Sequence, residues 1–156
     1  WGVASAPGGY RKLHQFAVTQ RELFRVLQPM PGAPQVLRRL SAAGVRIRIV
    51  THRLFIKHFH RIAVQQTVDW LDSHDIPYWD LCFQADKSAV GANLYIEDSP
   101  SNVELLRAQG HKTLVFTNST NRHLEGPRAN TWQEVESFVL NELAAWRSSP
   151  LSAQRP

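Results

Sequence analysis

A single cysteine, Cys82, stands among the 156 residues, so no disulfide can form within the chain. That usage points to a reducing, cytoplasmic setting and leaves packing to supply stability. Methionine is as scarce: Met30 is alone, while the chain opens on Trp1. Initiator methionine is trimmed before small residues, so further residues are expected upstream of this tryptophan. Long apolar runs are missing as well. Val45 to Val50 is broken by Arg46 and Arg48, far short of the roughly 20 apolar residues that span a bilayer. The opening residues show no basic segment followed by an apolar one, so no secretory signal is read there. The arginines are scattered along the chain rather than gathered into runs. The 18 Lys+Arg against 13 Asp+Glu give a net charge of +5, which reads as a solvated basic surface. Such a charge would suit a nucleic acid or an anionic small molecule, and the scatter of the arginines favours the plain solvated surface over a nucleic-acid footprint.

A hydrophobic content of 43% with 20% charged residues is ordinary for a globular domain of this size. After a Gly- and Pro-rich entry over 1–9, apolar residues at Leu13, Phe16, Ala17, Leu23, Phe24 and Leu27 recur at helical spacing. They predict one or two helices over 10–27, broken near Thr19-Gln20. Pro29-Met-Pro-Gly32 is a stop and a hinge. A helix over 33–43 should end at Gly44, and a strand over 45–50 follows. Next comes a helix from about Leu54 to His74, its buried stripe formed by Phe55, Phe59, Ile62, Ala63, Trp70 and Leu71. Strands are expected at 80–83, 93–96 and 112–116. A helix starting near Ser101, with Ser101-x-x-Glu104 as a capping box, separates the last two. Residues 118–130 read as a loop. Thr131-x-x-Glu134 caps a last helix, whose inner face carries Val135, Phe138, Val139, Leu143 and Trp146. Strands alternating with helices give an α/β fold, a Rossmann-like parallel sheet with flanking helices.

Chemistry-bearing residues cluster where such strands end. Thr51-His52 follow the first strand, Lys87 the second, and Glu97-Asp98 the third. In an open parallel sheet the carboxyl ends share one edge, where ligands bind. A hydroxyl and backbone N–H groups suit phosphate oxygens, an ammonium neutralises them, and carboxylates hold a hard cation such as Mg2+. The plainer reading of Glu97 and Asp98 is a cap for the helix that follows, and of Lys87 a surface lysine. His52, His58 and His60 suggest a histidine metal site, but His58 and His60 would point to different sides of the expected helix, which argues against it.

Ile49-Val-Thr-His-Arg53, Asp86-Lys87 and Tyr95-Ile-Glu-Asp-Ser-Pro-Ser-Asn102 resemble the second, third and fourth motifs of the haloacid dehalogenase (HAD) superfamily. Thr51 and Lys87 are 36 positions apart, Lys87 and Glu97 ten. The likeness is closest to the 5′(3′)-deoxyribonucleotidase branch, in which a segment like Pro29-Met-Pro-Gly32 joins a small helical cap to the core. The resemblance implies a remnant of the cap over 1–28, an α/β core over 29–146 and a disordered tail over 147–156. It further implies a Mg2+-dependent phosphomonoesterase acting on a small phosphate ester, a 5′-nucleotide. Thr51 and Lys87 would be catalytic. Thr51, His52, Lys87 and Phe24 would bind substrate, with Phe24 stacked on the base and Trp1 more loosely aligned to a similar role. Glu97 and Asp98 would hold the metal. A homodimer is among the assemblies it allows.

The sequence departs from that branch at Glu97, where aspartate is more usual, and at His52, where serine is common. The larger departure is that the first motif, Asp-x-Asp, occurs nowhere in these residues. Its first aspartate would be the nucleophile and its second the general acid/base, and the strand that carries it would be central in the sheet. An aspartyl-phosphate route therefore implies a nucleophile outside this chain. The competing expectation is a catalytically inactive HAD-like module that binds nucleotides or a protein.

Overall fold

The structure is a computed structural model that describes residues 8–54 and 59–149. Trp1, Phe55, His58 and the tail from Pro150 lie outside the described residues.

The N-terminal helices α1 (Gly9–Gln20) and α2 (Leu23–Val26) break at Arg21-Glu22, close to the expected point. Glu22 takes a left-handed backbone at φ 46. Both helices pack on α4 (His60–Ser73) through Val18, Phe24 and Ala63, with Leu23 and Leu54 beside them. Buried Gln66 clamps this cluster: its amide accepts from Phe24 N at 3.3 Å and donates to Val18 O at 2.8 Å. The helix α4 begins later than the sequence pattern suggested, because Leu54 and Phe59 are not helical. Ile62, expected in its buried stripe, is 40% exposed.

Gly32, at φ 82, turns the chain into α3 (Ala33–Ala42), whose Val36 and Leu40 are buried. Gly44 follows that helix at φ 92, the left-handed conformation that glycine adopts without a Cβ penalty. Then come β1 (Arg48–Thr51), β2 (Asp80–Phe83), β3 (Tyr95–Glu97), α5 (Pro100–Ala108), β4 (Thr113–Phe116), β5 (Arg128–Ala129) and α6 (Trp132–Arg147). Every strand pairing is parallel, as expected.

The strands do not form one sheet, however. Among the described residues β1 pairs only with β2, in register Thr51 with Phe83, while β3, β4 and β5 make a second sheet in that order. β5 was read as loop; a two-residue strand is too short to leave a periodic signal. The strand β4 is buried along its whole length, the condition of an interior strand. Leu114 and Phe116 pack into the main core with Val36 and Leu40 of α3, Ala129, and Val135 and Val139 of α6. Val115 points the opposite way, and α5, with Val103 and Leu106 buried, packs against β4. Burial of these side chains, at roughly 1.5–3 kcal/mol each relative to exposure, is what orders the second sheet.

Arg39 and Glu136 tie α3 to α6 by a two-pronged ion pair at 2.6 and 2.7 Å. Thr131 caps α6 as anticipated, its hydroxyl accepting from Glu134 N at 3.2 Å. Trp146, placed on the inner face by its spacing, is instead 43% exposed near the helix end. The Ser101–Glu104 capping box does not form. Helix α5 starts at Pro100 with Ser99 as N-cap, and the carboxylate that serves its entry is Glu97.

Candidate active site

Strand β3 ends at Glu97, which is only 6% exposed. A carboxylate there must find donors, since an unpaired buried charge costs several kcal/mol. It finds them on every side. One oxygen accepts from Lys87 Nζ at 2.5 Å. The other accepts from the backbone N–H groups of Asp98 at 3.2 Å and Ser99 at 3.1 Å, and the Asn102 side chain adds a further bond. Burial alone raises the carboxyl's pKa. The Lys87 hydrogen bond, the Ser99 amide, the Lys87 charge and Asn102 outweigh it, and the net shift lies below the ordinary glutamate value. Glu97 is therefore an anion at neutral pH and already saturated with donors.

Lys87 opens a single 3-10 turn, Lys87–Val90. Asp86 caps that turn, accepting from Ser88 N at 3.0 Å and from its hydroxyl at 2.5 Å. Tyr95 fastens the same turn to β3: its hydroxyl donates to Ser88 O and accepts from Ala92 N, both at 3.2 Å. Lys87 thus reaches Glu97 from a braced position rather than from a free surface loop. The lysine and the first acid, ten positions apart in sequence, are brought together as expected.

Asp98 differs from its neighbour in being exposed. Its carbonyl accepts from Asn118 Nδ2 at 3.1 Å and Asn121 Nδ2 at 2.9 Å, and Asn118 also reaches its carboxylate at 3.4 Å. Asn121, fully buried, bonds in addition to Phe116 O at 2.7 Å and Asn118 N at 3.0 Å. These two asparagines lock the turn after β3 to the turn after β4. The sequence reading passed over them. Their only signal was a pair of amides three positions apart immediately after a buried strand.

Thr51 ends β1, half-buried, with its carbonyl accepting from Gln84 N at 3.0 Å. His52 beside it is exposed. Among the described residues no hydrogen bond joins Thr51 to Lys87 or Glu97, and it lies in the other sheet. Phe24 is 6% exposed, and its ring is covered by the Arg53 guanidinium, whose carbon is 4.2 Å from the ring centroid. The His14 ring lies 5.5 Å away. Arg53 was not singled out from the sequence, although it stands two positions after Thr51.

Among the described residues no group of three or more His, Cys, Asp or Glu gathers within reach of one metal ion. The donor set offered is smaller: exposed Asp98, with Glu97 behind it and occupied. Mg2+ commonly takes one or two carboxylates and completes its octahedron with water and phosphate oxygens. The residues present suit that ion through Asp98, with Glu97 acting through Lys87 and the backbone.

The chain is similar to known proteins along most of its length. The family profile described as 5′ nucleotidase, deoxy (pyrimidine), cytosolic type C protein matches residues 1–145. A Chlorobaculum tepidum protein named "Putative 5′(3′)-deoxyribonucleotidase" is 60% identical over 139 residues. That match covers 89% of this chain and 68% of the relative.

Proposed function

We propose, from the premise that this chain belongs to the 5′ nucleotidase, deoxy (pyrimidine), cytosolic type C family of HAD-like phosphoric monoester hydrolases, that it holds the 5′-phosphate of a deoxynucleotide between Thr51 and Lys87 beside a Mg2+ on Asp98. The observation that carries this reading is the braced Lys87–Glu97 pair next to an exposed second acid. Such a pair presents one cationic head and one metal-ready carboxylate at the end of the same strand.

Each residue then has a part. Lys87 offsets the phosphate charge, and Glu97 holds its ammonium in place. Thr51 donates its hydroxyl to a phosphate oxygen, with the His52 backbone N–H beside it. Phe24 lines the substrate end through the cation stacked upon it. Mg2+, when bound, would neutralise charge developing on the transferring phosphoryl group. The aspartyl-phosphate route of this enzyme class requires an Asp-x-Asp that these 156 residues do not contain. No described helix is long and apolar enough to cross a membrane, and the lone cysteine suits a cytoplasmic setting.

Calorimetric titration with thymidine 5′-monophosphate, with and without Mg2+, tests the reading. Binding should tighten with Mg2+ and weaken by about tenfold or more in Lys87→Ala, the loss of a charge-assisted contact. Equal affinity in Mg2+ and in chelator would rule out the metal's part.

A further inference from the structure

Arg53 leaves the end of β1 and turns its guanidinium into the helical cluster rather than toward β3. Its carbon sits 4.2 Å from the centroid of the Phe24 ring, and Nη1 donates to Thr67 Oγ1 at 2.9 Å. Thr67 is itself 2% exposed and anchored by its hydroxyl to Ala63 O at 2.7 Å. Burial holds the Arg53 pKa below the ordinary arginine value. Arg25, Arg39 and Arg48 each pair with an acid, but Arg53 has no such ion pair among the described residues. The residues outside the description, 1–7, 55–58 and 150–156, contain neither Asp nor Glu. One face of the cation is stacked and one N–H is used, out of five that a guanidinium carries. Taking such a charge partly from water without an anion is costly.

We propose that Arg53 is a specificity-determining residue of the nucleotide site, donating its remaining N–H groups to carbonyl oxygens on the nucleobase while Phe24 backs it and Thr67 fixes its plane. The inference rests on the phosphate reading above. Its direction follows from position: Lys87 serves the phosphate end in the reading above, whereas Arg53, two residues past Thr51, turns toward Phe24 of α2 and Thr67 of α4. Arginine's planar fork suits a planar ligand with paired acceptors, and cation–aromatic stacking restricts the fork to one orientation. A thymine or uracil edge presents O4 as an acceptor to one of those donors, whereas adenine presents its N6 amino group, itself a donor, at the corresponding position. The base consequently meets the guanidinium instead of the bare Phe24 ring.

The test is a set of affinities measured by calorimetry in Mg2+ for thymidine 5′-monophosphate, deoxyadenosine 5′-monophosphate and inorganic phosphate. Wild type, Arg53→Gln, Arg53→Lys and Thr67→Val are compared, with folding checked by circular dichroism. Arg53→Gln should weaken the thymidine nucleotide about tenfold and bring the two nucleotides near parity, leaving inorganic phosphate unchanged. Arg53→Lys, which keeps the charge but not the fork, should recover only part of the preference. Equal weakening of all three probes would assign Arg53 to the phosphate and overturn the proposal, as would no change in any. If Arg53→Gln does not fold, Thr67→Val decides: it leaves the charge in place, and an unchanged nucleotide preference overturns the proposal. Wild type binding none of the probes would sink the phosphate reading itself. Binding with preference untouched in the variants sinks this inference alone.

Discussion

Replacing Lys87 by methionine removes the ammonium but keeps most of the aliphatic stem. The partner left behind, Glu97, is 6% exposed, and the Lys87 side chain 23%. Removing one partner of a buried pair costs about 3–5 kcal/mol. Two features of the site reduce that figure. Lys87 is partly hydrated, and Glu97 keeps the amides of Asp98 and Ser99 and the side chain of Asn102. A loss of roughly 2–3 kcal/mol at pH 7 is the expected result. With a urea slope of about 2 kcal/mol/M, the unfolding midpoint should fall by ~1 M or slightly more. The pH dependence gives a second reading. In wild type the folded carboxyl of Glu97 titrates below its ordinary value of 4.5. Its contribution is therefore present above that value and is lost as pH falls through the lowered one. In Lys87→Met burial is less opposed, so Glu97 takes up its proton at higher pH and the variant is relieved of its unpaired charge. The gap between the two proteins should narrow below about pH 4.5. A gap of the same size at pH 7 and pH 4 would refute the electrostatic reasoning and leave lost packing as the cause.

Asp98→Asn should abolish Mg2+-dependent tightening of nucleotide binding while leaving the thermal midpoint nearly unmoved, because the side chain is exposed; a variant that still responds to Mg2+ excludes Asp98 as the ligand. Asn121→Ala orphans Phe116 O and Asn118 N in a fully buried setting, which should cost about 2–4 kcal/mol; a chemical denaturation midpoint within error of wild type would contradict the clamp. Thr131→Ala removes the cap of α6 and should cost about 1 kcal/mol, read in the same assay, whereas Thr131→Asp should retain most of the stability.

How much of this was legible in the residues divides by physical scale. The order of elements was, because α3, α6 and their capping groups follow local rules. Val36, Leu40, Val135 and Val139 recur at helical spacing, and Gly44 and Thr131 mark a stop and a start. The site's order along the chain was legible too, since Thr51, Lys87 and Glu97 each follow a short apolar run. What local pattern could not carry was long-range. The resemblance put the strand these residues lack at the centre of the sheet, and among the described residues β1–β2 and β3–β4–β5 form separate sheets; no local pattern announced that Trp146 and Ile62 would face solvent. The entry to α5 was misassigned because Ser101 and Glu104 have the spacing of a capping box. Glu97, nearer the strand, took the amides first. Arg53 and Asn121 were overlooked for a related reason. Their partners Phe24, Thr67 and Phe116 are named by the fold, and no period in the sequence links them.

The proposed site requires Asp98, Thr51 and Lys87 to serve one phosphate although they follow strands of different sheets. Phosphorus NMR of bound thymidine 5′-monophosphate, with Mn2+ added in place of Mg2+, measures that directly. Mn2+ seated on Asp98 should strongly broaden the phosphate resonance in the wild-type chain, and Asp98→Asn should abolish the broadening while nucleotide is still bound. A bound phosphate that Mn2+ leaves sharp, or broadening that persists unchanged in Asp98→Asn, would contradict it.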